Sequence, residues 1–359
     1  MARPVLVVED DAITRLIEVV LDPRCSTERQ AAFADFVAHD VADFAAWCAQ
    51  VRERAPRLYP AEVHLPGTRE EMRAQMGDAD ALVVESFPVT ASDLARAPRL
   101  KAVQRFGVTL RNVDAAACAA NGIRLLTLRR RSNIATAEHA FTLLLMLARR
   151  THELNGAISV GRLQAAGYPY KPFDRRHAPN GNWGRVPGLR TLYGSTLGII
   201  GLGEIGREIA LRAVAFGMRV VYYQRTRLAG AEETALAVDY RELDALLAES
   251  DWLIPQLPAG PQTRHFLNAS RLAKLKRGAC IVNVARADLI ERAALIAALA
   301  SGELGGFALD PQYEAPGRAE DELLRFRNVI LVPHLAGSPR WNALKDCEDV
   351  IVGLANALA

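Results

Sequence analysis

Three stretches of the chain carry side chains whose types and spacing suit one reaction. Residues 197–206 read LGIIGLGEIG, residues 283–289 read NVARADL, and residues 332–337 read VPHLAG. In the first, Gly201, Gly203 and Gly206 keep the G-x-G-x-x-G spacing, behind an apolar run and ahead of the helical pattern EIGREIALRAVAFGM. In a dinucleotide-binding βαβ unit the first glycine allows the tight turn and the second lets backbone approach the pyrophosphate. The third lets helix pack closely on strand. The amides of Glu204 and Ile205 would open that helix, where the dipole attracts phosphate. Arg286 and His334 supply complementary chemistry. An imidazole titrates near neutrality and can hand a proton to a nascent alkoxide. A planar guanidinium can pair with a carboxylate and polarise a neighbouring carbonyl. Both residues follow apolar runs that read as strands, and open parallel sheets bind ligands at their carboxyl ends.

The second strand of such a unit normally ends in Asp or Glu about 20 residues after the first glycine, gripping the ribose 2′-OH of NAD. Here VVYYQRTR at 220–227 places neutral Gln224 there, followed by Arg225, Thr226 and Arg227. An acid would repel a 2′-phosphate; an amide does not. Arg225 can stack on adenine or pair with phosphate, Thr226 can donate a hydroxyl and Arg227 adds charge. The expectation is NADP(H) in preference to NAD(H).

Elements able to position these groups are legible along the whole chain. Strand-like runs at 81–85, 101–105 and 123–126 alternate with helical ones. A single amphipathic helix is expected over 27–55, opened by Thr27 with Gln30 as a capping box, with Phe33, Val37, Val41, Phe44, Cys48 and Val51 on one face. A long apolar helix should run from 133 to 154, ended by Asn155 and Gly156. Strand and helix then alternate from 197 to 332, ahead of a last helix. This is an α/β chain with two doubly wound, Rossmann-like domains, each built on a parallel sheet. Segment 156–194 is rich in Gly, Pro, Tyr and Arg, including Tyr168, Tyr170, Arg175, Arg176, His177 and Trp183; a connection that long is often functional. VLVVEDD at 5–11 also suits a phospho-receiver strand, but the next strand offers only Glu85 where a second aspartate is required.

Composition narrows the class. The 359 residues, half of them hydrophobic and 24% charged, fit a soluble globular protein of two domains. A net charge of +3, dispersed along the chain, gives no footprint for nucleic acid. Five scattered cysteines without a CxxC pair read as free thiols in a reducing compartment, not as a zinc site or disulfide frame. The longest apolar stretch, FTLLLMLA, is too short to span a bilayer, and no metal is expected. The expected location is the cytoplasm.

Four segments in order, STLGIIGLGEIG, NVARADL, ALDPQYEAP and VPHLAG, together with APRLKAVQRFGVTLRNVD and ATAEHAFTLLLMLARR upstream, resemble the D-isomer-specific 2-hydroxyacid dehydrogenases over roughly residues 80–350. The resemblance implies a discontinuous substrate-binding domain (1–131 with 334–359), a dinucleotide-binding domain (132–333), a cleft between them and a homodimer. It implies hydride transfer between a nicotinamide and a small 2-oxo or 2-hydroxy acid. Arg286 and His334 take the catalytic positions. Backbone at Gly107, Val108 and Thr109 takes the substrate carboxylate, and Asp310 with carbonyls near Val284 and Ala285 takes the nicotinamide amide. Further cofactor contacts fall on Leu257, Pro258, Arg286, His334 and Gly337.

Several positions depart from the family pattern. Its glutamate partner of the catalytic histidine directly precedes a proline. Here Ala315 fills that slot and Glu314 stands one residue early, so Glu314 is the candidate only if the loop shifts. Arg111 replaces an aspartate, Arg129, Arg130, Arg131 and Ser132 replace a neutral loop, and Glu85 stands where many relatives carry arginine. Glu85 favours a cationic substituent on the substrate and the arginine run an anionic one. The alternative to an enzyme is a dinucleotide-sensing, corepressor-like interaction protein without turnover.

Overall fold

The computed structural model describes residues 3–359 other than Phe173, Arg175, Ala178 and Asn180, so Arg175 of the long connection lies outside the described residues. Two compact units are present, Met1–Ala135 with Gly337–Ala359, and Thr136–Ala336.

In the first unit the chain forms β1 (Val5–Val8), α1 (Arg15–Leu21), α2 (Thr27–Val37), α3 (Phe44–Arg54), β2 (Glu62–His64), α4 (Arg69–Gln75), β3 (Ala81–Val84), α5 (Ala91–Leu94), β4 (Ala102–Arg105), α6 (Ala115–Ala120) and β5 (Arg124–Leu126). Its sheet is parallel, in the order β2-β1-β3-β4-β5. Side chains alternate across a strand. Leu6 and Val8 therefore meet Leu16, Trp47, Val51 and the C-terminal helix Trp341–Ala357 on one face, while Val7, Leu82 and Val103 meet Met72, Leu94 and Cys118 on the other. Burial on both faces explains why these strands read as unbroken apolar runs.

The helix expected over 27–55 is two helices. Asp43 caps the second, its carboxylate accepting the Ala46 amide at 2.8 Å, and the segment between them leaves the helix. The apolar period continues across the break because Val37, Phe44, Cys48 and Val51 still enter one core. The first helix is capped by Ser26 and not by the expected Thr27 box, and Gln30 donates instead to the Cys25 carbonyl.

The second unit contains most of α7 (Arg131–Arg149), then α8 (Thr151–Leu154), α9 (Val160–Ala165), β6 (Thr196–Ile200), α10 (Glu204–Ala215), β7 (Arg219–Tyr223), α11 (Gly230–Leu236), β8 (Val238–Tyr240), α12 (Leu243–Glu249), β9 (Trp252–Pro255), α13 (Ala269–Leu272), β10 (Ala279–Asn283), α14 (Arg292–Ala300), β11 (Leu304–Leu309) and β12 (Val329–Leu331). Its sheet order is β12-β11-β10-β9-β6-β7-β8, again parallel, and reverses between β6 and β9. The long helix expected to reach residue 154 ends earlier, at Arg150, which takes a left-handed conformation (φ 54°). Its end is closed from outside the helix, since the Arg190 amide donates to the Ala148 carbonyl at 2.8 Å. The connection that follows has its own small core, Leu163, Tyr168 and Val186 beside Tyr170 and Trp183.

Candidate functional site

The glycine turn sits where the strand order of the second unit reverses, the position at which open sheets bind ligands. Gly201 has φ 98°, and a Cβ there would lie 2.4 Å from the Gln256 carbonyl beyond β9. A Cβ on Gly206 would lie 2.4 Å from the Gly201 carbonyl, whereas one on Gly203 would meet nothing within 4 Å. Two glycines thus permit the turn and the third leaves open space over it, a cradle that fits a pyrophosphate on the amino end of α10, where Glu204 and Ile205 begin the helix. Leu257 and Pro258 follow β9 on the far side of the reversal.

At the end of β7 the Gln224 side chain folds back: its Oε1 accepts the Leu202 amide at 3.2 Å and its Nε2 donates to the Thr226 carbonyl at 2.7 Å. It therefore braces the glycine turn and brings no charge. Arg225 and Thr226 are exposed. Arg227 is committed elsewhere, in a two-pronged pair with Glu233 at 2.8 Å, which also accepts the Tyr222 hydroxyl at 2.7 Å. The guanidinium, with that hydroxyl, holds the Glu233 carboxyl down at about 2. The free charge expected from Arg227 is thus neutralised, and among the described residues Arg225 is the exposed cation left at this strand end.

Arg286, Asp310 and His334 follow β10, β11 and β12, three neighbouring strands. At a strand spacing of about 4.8 Å the outer two backbones stand roughly 10 Å apart, with Asp310 between. Two fully buried side chains, Asn283 and Asp310, fix the loops. Asn283 accepts the Ala285 amide at 3.0 Å and donates to the Arg286 carbonyl at 2.8 Å, which sets the turn through Val284 and Ala285. Arg286 is exposed and donates to the Ala285 carbonyl at 2.7 Å. The Asp310 carboxylate accepts the Leu335 amide at 2.6 Å and the Ala336 amide at 3.2 Å, while its carbonyl accepts the His334 amide at 3.1 Å. Held this way, His334 adopts φ 56°, which is uncommon for a residue with a side chain. His139 of α7 brings Nε2 to 3.3 Å from the same carboxylate.

Glu314 stands apart from His334. It is exposed and pairs with Arg318 at 2.9 Å, and it makes no hydrogen bond or ion pair with His334. Standing one residue early, its carboxylate is taken by the arginine four residues on.

The first unit has its own polar cluster at the carboxyl ends of β1, β3 and β5. Buried Glu9 accepts the amides of Glu85 (2.7 Å), Ser86 (2.9 Å) and Phe87 (3.0 Å), and so shapes the loop after β3. Arg130 pairs with Glu85 at 2.6 Å and lies 4.4 Å over the Phe106 ring. Burial pushes the Glu85 carboxyl above its ordinary value, against the pull of Arg130. Arg131 is bound to Asp349 at 2.6 Å and Asp346 at 3.2 Å. The opposing cues of Glu85 and Arg130 thus offset each other, and Arg131 is committed to two aspartates. Gly107, Val108 and Thr109 follow β4, with the Gly107 carbonyl accepting the Leu128 amide at 2.9 Å. Gly337 stands in the first unit, after the Asp310-clamped turn of the second.

Sequence reasoning missed Glu9, Asn283 and His139. Asn283 alone had a signal, its place at the head of NVARADL; the others act on residues remote in the chain.

The family described as D-isomer specific 2-hydroxyacid dehydrogenase, NAD binding domain, matches residues 141–336. The chain is 34% identical over 295 residues to a glyoxylate reductase of Thermococcus kodakarensis, covering 82% of this chain and 84% of the relative. It is 35% identical over 284 residues to a glyoxylate reductase of Pyrococcus furiosus, covering 79% and 80%. Among solved structures, a glyoxylate reductase from Paecilomyes thermophila aligns with a TM-score of 0.55 and 25% identity over 100% of this chain and 96% of that one. A D-mandelate dehydrogenase of Rhodotorula graminis, at 23% identity and TM-score 0.56 over 98% and 93%, shares the fold.

Proposed function

The chain belongs to the D-isomer specific 2-hydroxyacid dehydrogenases, and from that premise we propose that it reduces a small 2-oxo acid of the glyoxylate type, with NADPH preferred to NADH. It is an oxidoreductase that moves a hydride between a nicotinamide dinucleotide and a 2-oxo or 2-hydroxy acid. The matched relatives carry enzyme names, which leaves the dinucleotide-sensing reading without support. Among the described residues no helix is long and apolar enough to cross a membrane.

The observation that carries the proposal is the row of Arg286, Asp310 and His334 on three adjacent strand ends of the sheet that bears the glycine turn. The bound dinucleotide supplies the hydride. Arg286 pairs with the substrate carboxylate and draws electron density onto the carbonyl oxygen. His334, exposed and held by its backbone, delivers the proton that oxygen takes up. Asp310 braces the His334 turn, and a carboxylate has lone pairs left to accept the nicotinamide amide beside the Val284 and Ala285 carbonyls. Backbone at Gly107, Val108 and Thr109 takes the substrate carboxylate, with the Glu85–Arg130 pair as neutral surroundings. Glu314 has no part in this scheme.

For the coenzyme, neutral Gln224 permits a 2′-phosphate and Arg225 with Thr226 binds it. NADPH absorbance followed with glyoxylate, hydroxypyruvate, pyruvate and bulkier 2-oxo acids tests the reading. Turnover should be fastest with the small acids and kcat/KM higher for NADPH; a strong NADH preference would reverse the coenzyme assignment.

A further inference from the structure

A cavity of about 350 Å³ opens in the second unit at the edge of the sheet opposite the glycine turn. Gly278 and Asn328, which line it, precede β10 and β12, so it lies at the amino ends of strands whose carboxyl ends carry Arg286 and His334. Three guanidiniums, Arg150, Arg190 and Arg327, face it with a single carboxylate, Glu153. Glu153 is fully engaged: Arg150 at 2.7 Å, Arg327 at 3.0 Å and the Tyr168 hydroxyl at 2.9 Å all address it. Arg190 has no carboxylate at ion-pair distance among the described residues. It lies 4.3 Å over the Trp252 ring and donates to the Gly278 carbonyl at 3.0 Å.

The charge balance is the unusual feature. Among the lining groups three positive charges against one negative leave two, the nearby Asp251 carboxylate being bound to Lys276 at 3.0 Å, and the carboxyl end of α7 offsets roughly half a unit more. More than one positive charge therefore remains in a concave, partly desolvated site. Arginine forks are the groups best suited to bind the oxygens of a phosphate. The size is that of a small-molecule site, for which ~300 Å³ is the lower bound. The arginine contacts also tie the 150–190 connection to the sheet base, which gives that connection a role of its own.

We propose that this cavity binds a phosphate-type oxyanion, either free phosphate or the phosphate monoester of a small metabolite. Bound there, the anion completes the charge balance and stabilises the second unit by mass action, without competing for the dinucleotide site.

The test uses the full chain saturated with NADPH, so that the glycine turn is filled. Inorganic phosphate and, separately, glycerol 3-phosphate are titrated by calorimetry and by thermal unfolding, with chloride at equal ionic strength as the control. Saturable binding and a raised Tm are expected, weakened about tenfold or more in Arg190→Gln and in Arg327→Gln, with NADPH affinity unchanged. Arg327 stands at the rim with its side chain 53% exposed, so its replacement decides the matter if Arg190→Gln does not fold. Tighter binding of the ester assigns the monoester as occupant; equal or weaker binding assigns the free ion. Absence of saturable binding, or unaltered affinity in the folded variants, overturns the proposal.

Discussion

The Arg130 guanidinium lies 2.6 Å from the Glu85 carboxylate and 4.4 Å over the Phe106 ring, at the carboxyl end of the first sheet. Two residues that would pull substrate preference in opposite directions form one neutral unit in the fold.

That pair should be visible in stability. Arg130→Met leaves Glu85 without its cation and should cost about 1–3 kcal/mol in urea unfolding, while adding Glu85→Gln should restore much of it. Burial already raises the Glu85 carboxyl, and loss of Arg130 raises it further. A carboxyl whose folded pKa lies above its unfolded one favours the folded state at low pH and loses that contribution as pH rises. The Arg130→Met deficit should therefore be smallest in acid and grow towards neutrality. An equal deficit at all pH values would show that the pair is not electrostatically coupled.

Asp93 gives the opposite sign. Burial works to raise it, but hydrogen bonds from Thr90 and the guanidiniums of Arg69 (2.7 Å) and Arg73 (2.5 Å) outweigh burial and hold it well below the carboxylate range. Its stabilisation is complete above the unfolded value near 3.8 and is lost as pH falls below that. Asp93→Asn should cost about 2–3 kcal/mol at pH 7 and progressively less as pH falls below about 3.8, read from unfolding midpoints.

Coenzyme choice separates Arg225 from Arg227. Arg225→Ala should weaken NADPH binding about tenfold or more and leave NADH nearly unchanged, consistent with loss of one charge-assisted contact. Arg227→Ala should leave the NADPH/NADH ratio unaltered, because its guanidinium serves Glu233. Direct titration of both coenzymes checks this; a collapse of the ratio in Arg227→Ala contradicts the assignment.

Glu314→Gln should keep kcat and its pH profile close to wild type, since Glu314 is paired with Arg318. A profile displaced by a full pH unit would restore Glu314 as the partner of His334.

Much of the architecture is readable from sequence because buried parallel strands and crossover helices leave strong patterns. LGIIGLGEIG announces β6, its turn and α10 at once. The short edge strands β2 and β8 escape such a reading, since EVH and VDY are three residues each with polar members. The break after Val37 is hidden because the apolar period continues through it, and only the capping choice of Asp43 marks the second helix. In the site, Arg286 and His334 are recognisable as side chains with chemistry. The bracing roles of Asp310 at the His334 turn and of Glu9 at the loop after β3 are not, because both act through backbone amides, and a sequence does not show which amides a buried carboxylate will meet. The same holds for Gln224, whose neutrality is legible but whose two hydrogen bonds are not.

The most direct measurement is the turnover of glyoxylate by His334→Gln and Arg286→Gln at saturating NADPH, alongside NADPH affinity by titration. With His334 as proton donor, kcat should fall about 10²–10⁴-fold in the first variant. Arg286→Gln should lower kcat/KM by about tenfold or more through loss of a charged contact to the substrate. NADPH affinity should stay within a few-fold of wild type in both. Near-normal turnover in His334→Gln, with the variant folded and loaded, would contradict the account.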